Sequence, residues 1–543
     1  MADAAIRVDE ALPTEPAPAP RPQPAPQAMP TPVLTKGLLF GYFAMVFGMF
    51  MAILDIQIVS SSLSEIQAGL SVSADEIAWV QTSYLIAEVI MIPFSGYLSR
   101  LLSTRVLFVI SAASFTLASV GCAMSSSLDS MIVMRALQGF LGGAMIPTVF
   151  ASTYMIFPRE KMASATVIIG LVATLAPTVG PTLGGYLTQL MSWHWLFLVN
   201  VIPGIFVCLT VGALVDIDKP NYALFKGFDY VGLGALALFL GSLEYVLEEG
   251  TRNDWFNDET IRNFAIATAI GAVLFFWRSF TSKNPIVDLK AFRNRNFATG
   301  CLFSLTLGIG LYGLVYLLPL FLARVRGLNS LQIGEIMFVT GMTQFLTAPA
   351  AGILARKVDP RPVLAFGFAL LAASTWSMTR LTGDWQFDEL LWPQIMRGAA
   401  LMFAIVPINV IALGTLPPNE LKNASGLYNL TRNLGGAFGL AGINTVMTDR
   451  TAFHWNRLVD SINPGRWEVQ QYMDQIAGMF GDRLPAEPMQ VAIKMLGNKV
   501  QGQAYIMSFI DVFFILSLIF AAAALAVAFA QRPKQQQAGG GGH

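Results

Sequence analysis

The sequence predicts an all-α integral membrane protein with fourteen transmembrane helices, arranged as two six-helix halves with two helices inserted between them. Hydrophobic residues make up 54% of the 543 residues and charged residues only 13%, a composition typical of membrane proteins rather than soluble domains. Between Gly37 and Ala530, fourteen apolar segments are each long enough to cross about 30 Å of hydrocarbon as a helix. Short motifs of the first half recur in the second.

The apolar segments divide the chain into five parts. Residues 1–36 are rich in Pro and Ala, cannot form a core, and are expected to be a disordered cytoplasmic tail. Residues 37–215 are predicted to form the N-terminal half, 216–296 the two inserted helices with their linkers, 297–530 the C-terminal half with a periplasmic loop at 446–502, and 531–543 a C-terminal tail. The predicted spans are 37–63, 76–99, 104–124, 129–156, 163–190, 194–215, 228–248, 261–280, 297–323, 330–355, 361–380, 390–415, 421–445 and 503–530.

The positions of Lys and Arg predict the orientation. Most of the 34 Lys and Arg residues lie in the tails and in the loops that a cytoplasmic N-terminus would place in the cytoplasm. An even number of spans returns the C-terminus to the same side. No cleavable signal peptide is visible, so the first span is expected to act as an uncleaved membrane signal.

Two motifs of the first half recur in the second. The sequence GYLSR at 96–100, with Arg105, follows the second span, and GILAR at 352–356, with Arg361, follows the tenth. Met134 and Arg135 in the fourth span likewise correspond to Met396 and Arg397 in the twelfth. If each half has six spans, the seventh and eighth are insertions. Parallel repeats around a central cavity are the architecture of many secondary transporters.

The fifth predicted span carries an unusual set of small residues and prolines. Pro177 and Pro181 lie inside it, and a membrane helix tolerates prolines when neighbours satisfy the freed carbonyls. Small residues recur three or four apart, so one face is nearly bare and favours close helix packing. Ordinary small-residue packing is one interpretation, and a hinge is the other. The small residues are Ala173, Ala176, Gly180 and Gly184.

Ionisable residues inside the spans are the candidate mechanistic residues, because each costs roughly 2.5–3.5 kcal/mol at a helix centre on insertion scales. Asp55 and Arg135 are predicted at a similar depth in the outer half of the membrane, where they would meet across a cavity. Function and a purely structural ion pair are the two interpretations of that pair. Arg397 lies at a similar depth in the second half, and Glu88 lies nearer mid-membrane.

Four further ionisable residues have more ordinary interpretations. Glu335, Glu244 and Asp511 are each expected to be interfacial carboxylates that reach water, although Glu335 also remains a candidate proton-coupling residue beside Glu88. Arg432 is expected either in the cavity or as a structural partner of carbonyls at the end of a span.

Several other functions are disfavoured by the sequence. Zero formal net charge argues against a nucleic-acid partner. Cys122, Cys208 and Cys301 all lie in apolar spans and the histidines stand apart, so neither a metal site nor a disulfide is expected. A GxGxxG pattern at 308–313 lies inside an apolar span, where helix packing explains it better than dinucleotide binding. No hydrolase or phosphate-loop motif appears, so we expect no catalytic residues and no cofactor.

Four motifs together resemble those of one family. LDIQIV at 54–59 is similar to a first-span motif, with Gln57 in place of the usual Thr, and RALQG at 135–139 matches a fourth-span motif through Arg135, Gln138 and Gly139. Gly180, Pro181, Gly184 and Gly185 match the fifth-span antiporter motif, with Ala176 replacing its first glycine. The cytoplasmic loop motif keeps Gly96 and Arg105, but Arg100 stands where Asp is usual and Ser103 where Gly is usual. Shorter similarities occur at 284–289 and 416–418.

On these motifs the chain resembles the fourteen-span drug:proton antiporter branch of the major facilitator superfamily, and within it the EmrB-type exporters. The resemblance implies a multi-pass inner-membrane antiporter that exports amphipathic compounds against protons, with Asp55 as the first candidate for the titrating carboxylate. It also implies a periplasmic, EmrA-like adaptor, docked on 446–502, and an outer-membrane channel. A dedicated exporter of one metabolite, lipid or siderophore with the same fold is the alternative.

Overall fold

The computed structural model describes residues 34–73, 76–417, 420–463, 465–480 and 488–531. The tails predicted at 1–36 and 531–543 lie almost wholly outside these residues. Within them the chain forms the helices α1 Lys36–Ser61, α2 Leu63–Leu70, α3 Trp79–Leu102, α4 Thr104–Ala123, α5 Leu128–Gly142, α6 Met145–Ile156, α7 Arg159–Leu190, α8 Trp195–Leu198, α9 Val201–Leu214, α10 Tyr230–Glu249, α11 Glu259–Thr281, α12 Arg295–Arg324, α13 Ser330–Lys357, α14 Pro360–Ser377, α15 Phe387–Ala412, α16 Leu421–Ser461, α17 Trp467–Phe480 and α18 Pro488–Ala526.

Thirteen of the predicted spans meet a test of length and hydropathy in the described residues, with α5 and α6 forming one span and α8 and α9 another. The remaining predicted span is the first part of α16, which is 41 residues long and carries more polar residues. It nevertheless packs between α12, α18 and α3, inside the bundle. The protein is therefore an all-α membrane protein. Thirteen spans together with the first part of α16 agree with the fourteen spans that the sequence predicts.

The helices form two six-helix halves. The first half contains α1, α3, α4, α5–α6, α7 and α8–α9, and the second contains α12, α13, α14, α15, α16 and α18. The halves meet where α7 packs on α13 and α15, and where α3 and α6 pack on α16. The inserted helix α10 packs on α3 of the first half and on α16 of the second, whereas α11 packs on the outer side of α10.

The halves are in direct contact at the end of the molecule where α1 begins and α18 ends, which we call the terminal end. Lys422 Nζ donates to the carbonyl oxygen of Ser99 at 2.8 Å and also pairs with the carboxylate of Asp218. The main-chain nitrogen of Thr104 donates to the same carboxylate at 3.0 Å. Deeper in the bundle, Tyr154 Oη donates to the carbonyl of Asn409 at 2.8 Å. These contacts close the terminal end.

A cavity of about 350 Å³ separates the halves toward the opposite end. Gln57 from α1 and Pro181 from α7 line it from the first half, and Tyr316 from α12 lines it from the second. Glu248 of the inserted helix α10 also lines it. The cavity therefore has walls from both halves and from one of the insertions.

The segment 446–502, predicted as a long loop, is largely helical in its described residues. α16 continues to Ser461, α17 follows, and α18 begins at Pro488, before its apolar part. Arg450 Nε donates to Asp511 Oδ2 at 2.5 Å, and Thr451 Oγ1 donates to Ser508 Oγ at 2.9 Å, so α16 and α18 are paired where they leave the apolar bundle. The two helices thus project beyond the bundle at the opposite end.

Candidate functional site

An ion pair lies buried in the first half. Arg135 Nη1 on α5 donates to Asp55 Oδ2 on α1 at 2.7 Å, and both side chains have no exposed surface. The structure thus brings together the two residues that the sequence placed at one depth. They do not meet across the cavity, as predicted, but are in direct contact inside the packed first half, and neither is among the residues that line the cavity. A buried carboxylate must be paired and hydrogen-bonded, because the desolvation of an isolated charge is very unfavourable.

Two amides complete the surroundings of Asp55. Gln138 Nε2 donates to Asp55 Oδ1 at 3.1 Å, and Asn200 Nδ2 donates to the same oxygen at 2.7 Å. Gln138 Nε2 also donates to Ser119 Oγ at 2.8 Å, which ties the cluster to α4. We call Asp55, Arg135, Gln138 and Asn200 the Asp55 cluster. It draws on α1, α5 and the junction of α8 and α9, so a change in the charge of Asp55 acts on several helices at once.

Sequence reasoning missed Asn200. The signal was present, because Asn200 is a lone amide between Val199 and Val201, at the break between α8 and α9. A polar side chain in such an apolar stretch is unfavourable in lipid unless it is hydrogen-bonded inside the protein. Tyr84 was missed as well, since its tyrosine ring looks like ordinary core in the sequence.

Arg135 is held from several sides. Its Nε donates to the carbonyl of Val80 at 3.1 Å, and its Nη1 donates to Gln138 Oε1 at 2.7 Å. Its guanidinium lies 4.2 Å from the centre of the Tyr84 ring, within cation–π distance. α3 approaches this closely because residue 139 is Gly, where an added Cβ would stand 2.3 Å from the Tyr84 carbonyl oxygen. Gly139 of the fourth-span motif therefore serves the packing that positions Arg135.

In the described residues, the second half has no carboxylate that pairs with Arg397 in the way that Asp55 pairs with Arg135. Arg397, the counterpart of Arg135 in the repeat, donates through Nη1 to the carbonyl of Leu314 at 3.1 Å. Among the described residues it has no ion pair, and its Nε and Nη2 have no hydrogen-bond partner. It borders a small cavity of about 20 Å³, enough room for one water molecule. Among the described residues, therefore, a buried arginine paired with a carboxylate is found in the first half and has no equivalent at Arg397.

Arg432, the third intramembrane arginine, lies on α16 at the seam between the halves. It donates to the side chain of Asn429 and stands 5.0 Å from the ring centre of Phe150 on α6. It is 5% exposed. These contacts fit a packing role across the seam and place Arg432 apart from the Asp55 cluster.

Glu88 lies between the Asp55 cluster and the central cavity. It is 1% exposed and its Oε2 has no hydrogen-bond partner among the described residues. It interacts electrostatically with Arg135 and Asp55 on one side and with Glu244 on the other. Its side chain also hydrogen-bonds with Asn433, which lines the cavity.

The remaining candidate carboxylates separate in the structure. Glu335 is exposed near the start of α13 and lies outside the Asp55 cluster, as expected for an interfacial residue. Asp511 has a side chain 26% exposed; it accepts one hydrogen bond from Arg450 Nε and pairs with His454 Nε2 at 2.7 Å. Glu244 differs from its interfacial expectation: it is 5% exposed and lines the cavity, because α10 packs against both halves.

The fifth-span motif forms a close contact between α7 and α1. A Cβ added at Gly180 would stand 2.3 Å from Gln57 Cβ, and one at Gly184 would stand 2.8 Å from the carbonyl oxygen of Ile58. α7 is continuous through Pro177 and Pro181. Pro181 lines the cavity, and Gly185 is buried beside Gly184. The motif therefore joins the cavity wall to the helix that carries Asp55.

The cytoplasmic loop motif lies at the terminal end. Arg100 Nε donates to the carbonyl of Gly96 at 3.3 Å, its guanidinium lies 5.6 Å from the Tyr97 ring centre, and Arg105 is exposed. The contact to the second half is made instead by Lys422, which an inspection of the motif alone does not reveal. An added Cβ at Gly96 would stand 2.8 Å from the Lys422 carbonyl oxygen, so Gly96 allows the two halves to touch.

Among the described residues, no group of three or more His, Cys, Asp or Glu side chains is arranged to hold a metal ion. What the described residues do place together is a set of buried carboxylates next to a cavity with polar and apolar walls.

Known proteins are similar to this chain in sequence or in fold. The profile of the Major Facilitator Superfamily matches residues 45–440. The colistin resistance protein EmrB of Acinetobacter baumannii is 42% identical over 91% of this chain and 96% of its own length, and the multidrug export protein EmrB of Escherichia coli (strain K12) is 31% identical over 92% and 96%. The structure of the proton:xylose symporter XylE, 12% identical, matches the fold with a TM-score of 0.58 over 91% of this chain and 96% of that one. The chain therefore belongs to the major facilitator superfamily, in its EmrB-type branch.

Proposed function

We propose that this protein is a proton-coupled antiporter that exports amphipathic organic compounds across the inner membrane. The observation that carries the proposal is the Asp55 cluster, a buried and hydrogen-bonded carboxylate beside a cavity between two halves. Its relatives, named for colistin resistance and multidrug export, support export of drug-like compounds as the activity.

The terminal end is proposed to face the cytoplasm. The excess of Lys and Arg at the predicted cytoplasmic loops supports this orientation, because such residues stay on the side from which the chain is inserted. The contacts of Lys422 with Ser99 and Asp218 then close the cytoplasmic end, and the cavity lies toward the periplasm. In this state the protein is ready to release substrate outward and to take up a proton.

The proton is proposed to pass from the cavity by way of Glu88 to Asp55. Glu88 interacts with carboxylates on both sides, so it is suited to relay a proton between them. Protonation of Asp55 removes the charge that Arg135 pairs with, and it converts an acceptor of three donors into a group that must itself donate. Because Ile56 and Gln57, the next residues on α1, line the cavity, a shift of α1 reaches the substrate directly.

The energy available is sufficient for uphill export. Each inward proton carries about 2.3 kcal/mol per 100 mV of membrane potential and about 1.4 kcal/mol per pH unit of gradient. Coupling requires that proton and substrate bind to competing states of the protein. Asp55 and the cavity-lining residues Ile56 and Gln57 lie on the same helix, α1, so protonation of Asp55 can change the substrate-binding state of the cavity.

We also propose that the projecting parts of α16 and α18, with α17, dock onto a periplasmic adaptor that leads to an outer-membrane channel. The projection supports this role because it is built of packed helices and exposes apolar side chains, among them Trp467, which is 67% exposed.

The test of the antiport proposal is transport in proteoliposomes driven by a pH difference alone, with a panel of lipophilic cations, weak acids and neutral drugs. Wild-type protein should concentrate at least one class, and Asp55→Asn should still bind that substrate but fail to concentrate it. Asp129→Asn, on the exposed start of α5, is the matched control and should transport normally. Accumulation by Asp55→Asn under a pH difference alone would overturn the role of Asp55 and make Glu88 the leading carboxylate.

A further inference from the structure

The inserted helix α10 places two carboxylates on the wall of the central cavity. Glu244 and Glu248 are four residues apart, so they lie on one face of the helix, and both line the cavity. Glu244 is 5% exposed, although α10 is otherwise an apolar span. A buried carboxylate in a membrane helix is unfavourable unless it has a partner, and such a residue marks a ligand or ion pathway.

Neither carboxylate has a partner in the part of the chain that the structure describes. In the described residues, no hydrogen bond or ion pair reaches the side chain of Glu244 or Glu248, and they are the only charged residues among those that line the cavity. Arg324, at the end of α12, is exposed and lies outside the cavity lining. The neighbouring Glu249 differs, because it is held by a hydrogen bond from Thr82 Oγ1 at 3.2 Å. The two carboxylates therefore have no compensating cation among the described residues that line the cavity.

Aromatic rings line the same cavity. Tyr312 and Tyr316, also four residues apart, contribute one face of α12 to its wall. Carboxylates together with aromatic faces are the groups with which proteins bind ammonium and other organic cations. The apolar remainder, including Leu85 and Leu320, suits the hydrophobic part of an amphipathic molecule.

The position of α10 keeps these carboxylates at the seam between the halves. Trp79 on α3 stacks on Tyr245 at 5.5 Å between ring centres, and Leu247 packs against Ala437 and Ala441 of α16. Trp255 Nε1, just after α10, donates to Thr445 Oγ1 at 3.0 Å. The helix is thus fixed to both halves, with its acidic face toward the cavity.

We propose that Glu244 and Glu248, with Tyr312 and Tyr316, form a recognition site for the positively charged group of an amphipathic organic cation. The inference rests on the proposed export function and narrows it to a substrate class. It also assigns a role to an inserted helix, which supplies the charge that selects the substrate.

The test is equilibrium binding of two probes of nearly equal size and shape but opposite charge, tetraphenylphosphonium and tetraphenylborate, to the full-length protein in lipid nanodiscs. Wild-type protein should bind the cation at least about tenfold more tightly than the anion, a difference of about 1.4 kcal/mol. Glu244→Gln and Glu248→Gln should each weaken cation binding several-fold and leave anion binding unchanged or tighter. Glu259→Gln, an exposed residue at the start of α11, is the matched control and should change neither.

Two other results of the binding experiment would contradict the proposed site. Equal binding of the two probes by the wild type, or a parallel loss of both in the Glu244 and Glu248 variants, would overturn the proposal. Binding at equilibrium requires no proton gradient, so it tests the recognition site separately from transport. If the protein binds the cation through these carboxylates but does not transport it, the proposed site stands and the proposed export function is refuted.

Discussion

At the scale of single residues, the Asp55 cluster is defined by how its charges are compensated. Asp55 accepts hydrogen bonds from Arg135, Gln138 and Asn200, and none of these side chains except Asn200, at 2%, has exposed surface. Removing one partner of a buried ion pair costs about 3–5 kcal/mol, because the other charge is left without compensation. The pair is therefore sensitive to protonation of Asp55 as well as to mutation of Arg135.

Substitution of Arg135 separates the effect of charge from that of geometry. Arg135→Ala should lower the free energy of unfolding by about 3–5 kcal/mol and abolish transport driven by a pH difference. Arg135→Lys should be milder, since it keeps the charge but loses the planar donor fork that reaches both Asp55 and Gln138. Thermal unfolding in detergent and transport in proteoliposomes measure the two effects. Equal behaviour of the Lys and Ala variants would show that charge at residue 135 is unimportant.

The sequence predicted the ionic part of this cluster but not all of its hydrogen bonds. Asp55 and Arg135 stand out because charged residues are rare in apolar spans, and counting residues from the span ends gives their depth. Asn200 and Tyr84 do not stand out in this way. Their roles depend on how α8, α9 and α3 are rotated about their axes, which follows from packing between helices and not from local composition.

At the scale of helices, small residues determine where neighbouring helices can approach closely. Along α7, Gly184 meets Ile58 and Ser61 of α1, and a Cβ at this position would stand 2.7 Å from Ser61 Oγ. Close contact between backbones provides much of the attraction between membrane helices, because lipid offers no hydrophobic driving force for their association. The contact also connects Pro181 in the cavity wall with the helix of Asp55.

Gly184→Val should therefore separate α7 from α1. Overpacking of this kind costs typically about 1–3 kcal/mol, and we expect a lower unfolding temperature together with weaker coupling of transport to the pH difference. Gly234→Val is the matched control, because a Cβ at Gly234 of α10 meets no atom within 4 Å. Normal transport by Gly184→Val would contradict a role for the α1–α7 contact in coupling.

Lys422 makes a second contact that acts between helices, because it connects the two halves. It joins α16 of the second half to Ser99 on α3 and to Asp218, beyond α9, and thereby closes the terminal end. The cytoplasmic loop motif departs from its family pattern at Arg100, and the acidic partner is supplied by Asp218 instead. Nothing in the local sequence around Asp218 indicates that it meets Lys422, since 204 residues separate them along the chain.

Lys422→Ala should shift the protein toward a state that is open at the terminal end. A hydrogen bond to a charged group contributes about 1.5–3 kcal/mol, enough to change the populations of two states by tenfold or more. Distances between spin labels at the exposed positions 105 and 357, measured in a variant without the native cysteines, should become longer. Lys226→Ala, an exposed lysine at the same end, should leave the distance distribution unchanged. An unaltered distribution in Lys422→Ala would exclude this contact as a latch.

At the scale of the whole molecule, the sequence predicted the number of membrane spans and the division into halves. Hydropathy locates the spans because lipid requires apolar side chains, and the recurring motifs reveal the repeat. The position of α10 across the seam, and with it the placement of Glu244 in the cavity, follows from contacts with α3 and α16 and was not predictable from its own residues. The same holds for α16 and α18 beyond the membrane, where polar helices carry no hydropathy signal.

The projection at the opposite end has a length that a connecting loop does not need. Residues 446–461 add about 24 Å to α16 at 1.5 Å per residue, and α18 gains a similar length before its apolar part. Asp511 pairs with Arg450 and His454, and Ser508 with Thr451, so the helices run antiparallel and Ser461 lies near the level of Val500. α17 packs on α18, where Lys499 Nζ lies 4.8 Å from the centre of the Tyr472 ring.

Because Ser461 and Val500 lie at the same level, the segment between them can be deleted without separating α16 from α18. Replacing residues 463–498 with about four Gly and Ser residues, which span roughly 13 Å, removes α17 and the outermost part of α18 but keeps the paired helices joined. The shortened protein should fold and still transport substrate in proteoliposomes, because the cavity and the Asp55 cluster are untouched. It should no longer co-purify with a periplasmic adaptor from cells that express both, whereas Trp467→Ser, a single change on the exposed surface of α17, should weaken co-purification only partly. Undiminished co-purification of the shortened protein would contradict the docking role and would assign adaptor binding to the short loops at the same end.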